Sequence, residues 1–257
     1  MIELTTSDGH SFSAYRADPS DTPKGAVVIL QDEAGINPHL CKVADSFAAK
    51  GYVAIAPSLF DRVKPGASFG YDEAGLTEGK EVSRQIATEQ ALADIQTTVE
   101  AVKGTGKVAI VGYSWGGDLA YASANRVNGV ACVVAYGGKA TVSAYQEKRR
   151  VPTLLHFGEN DALIPLEQIA QFRCHRPDVS AFTYPNAAHG FDCDGRDSFQ
   201  EEAAHKALDR TLFWISQYVE GQPPILLKNA GAYAQAKTDR KAKKKKSGGD
   251  DMGPPMD

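Results

Sequence analysis

The sequence predicts an α/β fold: a sheet of parallel strands buried on both faces, with helices on both sides. Three observations carry the prediction. Short apolar runs without polar alternation recur along the chain, as in Ala26–Leu30 and Val130–Tyr136, and such runs mark strands buried on both faces. Amphipathic stretches of helical period separate them. A serine framed by glycines, Gly112-Tyr113-Ser114-Trp115-Gly116-Gly117, lies where one such run gives way to a helical pattern.

The elements follow in order. Glu3–Thr6, an Asp8-Gly9 turn and Ser11–Arg16 read as a hairpin, and a polar loop runs from Asp18 to Lys24. Six buried strands are predicted at Ala26–Leu30, Val53–Ala56, Val108–Val111, Val130–Tyr136, Thr153–Phe157 and Ala181–Tyr184. Helices are predicted at His39–Lys50, Val82–Val102, Gly116–Arg126, Leu166–Cys174 and Ser198–Val219. Ser58–Gly79 holds five Gly or Pro residues and little periodicity, so it reads as a long loop, either a flap over the site or a surface excursion. Residues 1–220 are predicted to form one domain. Residues 221–257 read as a Lys-rich extension with the composition of a disordered tail from about 237.

Charge and composition exclude several classes of function. The 257 residues carry a formal net charge of −4. Lys237–Asp257 holds seven Lys/Arg against four Asp/Glu, or +3, which leaves −7 on the rest. An acidic body argues against nonspecific nucleic-acid binding, which depends on neutralising phosphates. The longest apolar runs fall far short of the roughly 20 residues of a membrane span. The Met1-Ile2-Glu3-Leu4 start lacks a signal-peptide pattern. Cys41, Cys132, Cys174 and Cys193 are scattered without a Cys-x-x-Cys pair, which predicts reduced thiols, a cytoplasmic setting and no zinc site.

The strand–turn–helix context around Gly112–Gly117 is what a nucleophile elbow requires. Ser114 must occupy a strained turn with its hydroxyl above the sheet, and a Cβ at 112 or 116 would meet neighbouring backbone. A serine needs a base, and the base an orienting carboxylate. Asp161, on the loop after strand Thr153–Phe157, suits that carboxylate better than Glu159. Four histidines lie downstream: His156, His175, His189 and His205. His189 follows the last strand between small residues and is the predicted base; His156 reads as a packed core residue and His205 as a helix-surface one. The backbone N–H groups of Trp115 and Glu33 are the predicted oxyanion donors. Trp115 either walls the acyl pocket or packs into the core.

From Ile2 to Val219 the chain resembles the dienelactone hydrolase family of α/β hydrolases. The marks are Gln31-Asp32-x-x-Gly35-x-Asn37, the elbow GYSWGG, Gly158-x-x-Asp161 and Ala188-His189-Gly190-Phe191-Asp192-Cys193-Asp194-Gly195-Arg196. The resemblance implies a mostly parallel eight-stranded sheet, a small single domain and no large cap. The best-known members use a cysteine nucleophile where this chain has Ser114, with an acidic residue matching Asp32 controlling its ionisation. They hold the substrate carboxylate with arginines. With a serine nucleophile, Asp32 either binds substrate or braces its loop; the position four residues after the catalytic histidine is Cys193 here, so Arg196, Arg84 and Arg62 are the candidates for holding a substrate carboxylate.

These residues predict a serine-dependent hydrolase of a small ester or lactone that needs no metal or organic cofactor, a monomer or small homo-oligomer. The alternatives are a general carboxylesterase or thioesterase, and a non-catalytic scaffold binding a ligand or partner.

Overall fold

A computed structural model describes residues 1–221. The predicted Lys-rich tail lies outside the described residues. Eight strands form one sheet: β1 (Ile2–Thr5), β2 (Ser11–Ala17), β3 (Ala26–Leu30), β4 (Val53–Pro57), β5 (Val108–Tyr113), β6 (Val130–Tyr136), β7 (Thr153–Gly158) and β8 (Ser180–Tyr184). Their order across the sheet is β1-β2-β4-β3-β5-β6-β7-β8. β2 runs antiparallel to both β1 and β4, and every other pairing is parallel.

The helices are α1 (Pro38–Ala49), α2 (Glu73–Arg84), α3 (Thr88–Val102), α4 (Trp115–Arg126), α5 (Leu166–His175) and α6 (Glu201–Ile215). Because β3 and β4 are buried at every position, both faces of the sheet need a cover. Leu40, Ala44 and Phe47 of α1 and Ala203, Ala207 and Ile215 of α6 share one core with alternate strand residues such as Val27, Ile29 and Val111. Ile95 and Val99 of α3, Leu119 and Ala124 of α4 and Phe172 of α5 share the other with Val28, Leu30 and Ile110. The period-two alternation of side chains along a strand is what divides the two cores.

Two helix boundaries differ from the sequence reading. The single helix expected over Val82–Val102 is two, α2 and α3, and α2 begins inside the stretch read as a loop. Asp72 starts it early by accepting a hydrogen bond from the amide of Gly75 at 2.7 Å, a side-chain N-cap. Gly75 and Gly79 hid the helix, since glycine is a poor helix former. The rest of Ser58–Gly79 is tied down. Gly35 bridges Ser68, Phe69 N–H donates to Ala34 O at 2.8 Å, and a Cβ at Gly79 would fall 1.6 Å from Glu33 O. The segment therefore packs on the loop after β3 and is no free flap. The terminal helix is also shorter than expected, with α6 ending at Ile215 in a π-helical turn, Ser216–Glu220.

Arg62 is committed elsewhere. Its guanidinium donates to both carboxylate oxygens of the fully buried Asp94, at 2.6 and 3.0 Å, and to Asp8 at 2.8 Å. It fastens the turn after β4 to α3 and touches no substrate space.

His156 is a core residue, as its sequence position suggests. Its ring is fully buried between the Tyr184 hydroxyl, 2.8 Å from Nδ1, and the Thr211 hydroxyl, 3.1 Å from Nε2. Burial lowers its pKa to about 3, aided by the nearby Arg210 charge. An unfolded histidine takes its proton near pH 6.5. Between the two values the unfolded chain binds one more proton than the folded one, so stability falls as pH drops through that window. Wild type should lose up to about 1.4 kcal/mol per pH unit from this group, and urea unfolding of His156→Gln between pH 6.5 and 4 should show a correspondingly shallower loss.

Candidate active site

β5 delivers Ser114 to the carboxyl edge of the sheet, and α4 starts at the next residue. Ser114 sits at φ 49°, ψ −111°, a conformation L-residues rarely adopt. The flanking glycines permit the turn. A Cβ at Gly112 would lie 2.0 Å from Gly116 O, and one at Gly116 would lie 2.4 Å from Gln31 O. The Ser114 amide donates to Tyr136 O on β6 at 2.8 Å, which fixes the turn to the neighbouring strand.

His189 and Asp161 converge on this serine from two further loops. Ser114 Oγ lies 2.8 Å from His189 Nε2, and His189 Nδ1 lies 2.8 Å from Asp161 Oδ2. The second Asp161 oxygen accepts from the Leu163 amide at 2.8 Å, and the carboxylate is buried. Ser198 holds the His189 loop by donating its hydroxyl to His189 O at 2.8 Å. One line of contacts thus runs from Ser114 to His189 to Asp161, separated by 75 and 28 residues in sequence.

The loop after β3 supplies the fourth side. Trp115 is the first residue of α4, and the first amides of a helix have no partner within it. The Glu33 backbone is pinned by the contact with Gly79. The Glu33 carboxylate, given no role by the sequence, enters the site: Oε1 accepts from Ser114 Oγ at 3.0 Å. A serine hydroxyl has one proton, so Glu33 and His189 compete for it.

Asp32 and Arg196 form an ion pair at 2.7 Å in the cleft wall, both nearly buried. The other Asp32 oxygen accepts from the Ala34 amide at 2.9 Å, and the Arg196 guanidinium lies 4.8 Å from the centre of the Tyr71 ring. Asp32, His39, Tyr71, Ser114, His189 and Arg196 line a cleft of about 450 Å³ open to solvent. In its wall, burial pushes the Asp192 carboxyl up to about 6. Burial works against protonation of His39, but Cys193 and Asp194 outweigh it and raise its pKa to about 9.

Two sequence candidates lie apart from the cleft. Arg84 is exposed at the C-terminal end of α2. Trp115 stacks on Phe60 at 5.7 Å and lines a separate groove beside α4, so its ring packs on the core away from the triad cleft. Tyr71 and His39 were missed. Tyr71 lies in the segment read as a loop, and His39 stands 150 residues upstream of the predicted base, so no local signal marked either.

Fold and site together define an α/β hydrolase. The profile of the dienelactone hydrolase family matches residues 12–219, and the chain belongs to that family. A Synechocystis protein bearing a provisional carboxymethylenebutenolidase name is 31% identical over 217 residues, covering 77% of this chain and 88% of its own. The carboxymethylenebutenolidase of Pseudomonas putida is 25% identical over 232 residues, covering 86% and 98%. The crystal structure of a provisionally assigned dienelactone hydrolase from Klebsiella pneumoniae superposes with a TM-score of 0.75 at 27% identity, covering 84% of this chain and 98% of that one. The protein is a hydrolase. Among the described residues, no helix is long and apolar enough to cross a membrane.

The Asp32–Arg196 pair yields a stability prediction. Arg196→Ala leaves a buried carboxylate without its cation and should cost about 3 kcal/mol. The double variant Asp32→Asn/Arg196→Ala should recover most of that loss, as read from urea unfolding at neutral pH.

Proposed function

We propose that this chain hydrolyses a small ester or lactone through a Ser114 acyl-enzyme, in the manner of a dienelactone hydrolase. The supporting observation is the unbroken contact line Ser114–His189–Asp161 at 2.8 and 2.8 Å. His189 Nε2 takes the Ser114 proton as Oγ attacks the carbonyl carbon. The amides of Trp115 and Glu33 receive the oxyanion. His189 then protonates the leaving oxygen, and the acyl-enzyme is hydrolysed by a water that His189 deprotonates. Asp161 orients the imidazole and stabilises its charged form. The Ser114 hydroxyl must point to His189 and away from Glu33 for attack.

A neutral ester or lactone is the second reading of the substrate, and a specific feature favours it. Arg196, which lines the cleft, spends its charge on Asp32. We also propose a cytoplasmic monomer or small homo-oligomer without nucleic-acid partners, a setting in keeping with four free cysteines and the acidic body.

Hydrolysis of short p-nitrophenyl esters, a dienelactone and a neutral lactone tests the proposal. Ser114→Ala should lower kcat by about 10³-fold or more while the fold persists. A preference for the dienelactone supports carboxylate recognition, and a preference for neutral substrates supports the second reading. Absence of turnover on every substrate, with Ser114 unlabelled by a fluorophosphonate, favours a non-catalytic scaffold instead.

A further inference from the structure

His39, from the start of α1, meets Cys193 and Asp194, from the loop after His189, and His39 and Cys193 line the cleft. One ligand atom from each lies within 4.8 Å of the other two, and His39 Nδ1 is 2.6 Å from Asp194 Oδ1. A thiol–imidazole–carboxylate relay would put sulfur and carboxylate on opposite ring nitrogens, much further apart. Here no two of the three atoms lie more than 4.8 Å apart. We propose that this cluster is a binding site for a zinc-like divalent cation, with His39, Cys193 and Asp194 as its protein ligands.

The donor set suits that ion. One sulfur, one imidazole nitrogen and one carboxylate oxygen are the ligand types zinc takes, and three protein ligands leave a coordination position open. Tetrahedral zinc with bonds of about 2.0–2.3 Å would set ligand atoms roughly 3.3–3.6 Å apart, so the cluster needs adjustments on the order of 1 Å. Its parts divide the work. His39 is in the first turn of α1, which Asn37 caps through the Leu40 amide at 3.0 Å. Cys193 is buried, and its amide donates to Gly190 O at 3.1 Å. Asp194 is more than half exposed.

The Tyr71 ring meets the His39 ring edge-on at 5.9 Å. Such outer contacts help orient ligands for a metal. Coordination would release the Cys193 thiol proton to solvent, together with any proton on His39 Nδ1. Ester hydrolysis by Ser114 does not require the ion.

The test is zinc titration of the chelator-stripped, reduced full chain against a chromophoric chelator. One zinc per chain is expected. Asp194→Asn, which alters an exposed side chain, should weaken binding about tenfold or more, and Cys193→Ser and His39→Gln should do so at least as strongly. Cobalt should give a thiolate charge-transfer band that Cys193→Ser removes. Three results would overturn the site: no stoichiometric binding by wild type, binding unchanged in both Asp194→Asn and Cys193→Ser, or binding abolished by His189→Ala and untouched by the three ligand variants.

Discussion

The contact between Gly112 and Gly116 across the Ser114 turn is the constraint on which the site rests. The carbonyl of Gly116 comes so close to Gly112 that no side chain fits between them. That closeness bends the chain from β5 into α4 in a single residue, and the left-handed φ of Ser114 is its cost. The strain persists because the sheet overdetermines it. β5 lies between β3 and β6, the Ser114 amide is fastened to β6, and Gly116 abuts the backbone at the end of β3. The geometry of the nucleophile is therefore a property of the sheet centre as well as of the turn.

Around that turn the protein manages charge at close quarters. Glu33 faces the nucleophile, Asp32 and Arg196 neutralise one another in the wall, and Asp161 is sealed beneath His189. On the far side Arg62 and Asp94 do for the scaffold what Asp32 and Arg196 do for the cleft. Each pair joins elements that are remote in sequence. Each also confines its own members, so a cation held by a neighbouring carboxylate has less to offer a ligand.

Much of this was legible in the sequence, and for physical reasons. Unbroken Val, Ile and Ala runs declare strands buried on both faces, and the eight predicted strands agree with β1–β8 to within three residues at each end. Ser114, Asp161 and His189 stood out because each follows a strand at the sheet's carboxyl edge. What was hidden was local weakness or remote contact. Glycines masked the start of α2, whose packing on Glu33 needs one of them. The reach of the Glu33 carboxylate to Ser114 depends on rotamer and loop path. The meeting of His39 with Cys193 and Asp194 depends on α1 and the His189 loop sharing an edge, which no spacing rule encodes.

The sheet order carries a consequence for how the molecule comes into being. The Ser114 turn is built from neighbouring residues, but His189 lies 75 residues further along and Asp161 47. β7 and β8 must add to the sheet after β6 before their loops can bring Asp161 and His189 to Ser114. Pairings this remote in sequence carry a loop-closure cost before their contacts reward it. The contact between Ser114 and His189 thus exists only in a chain whose last strand has docked.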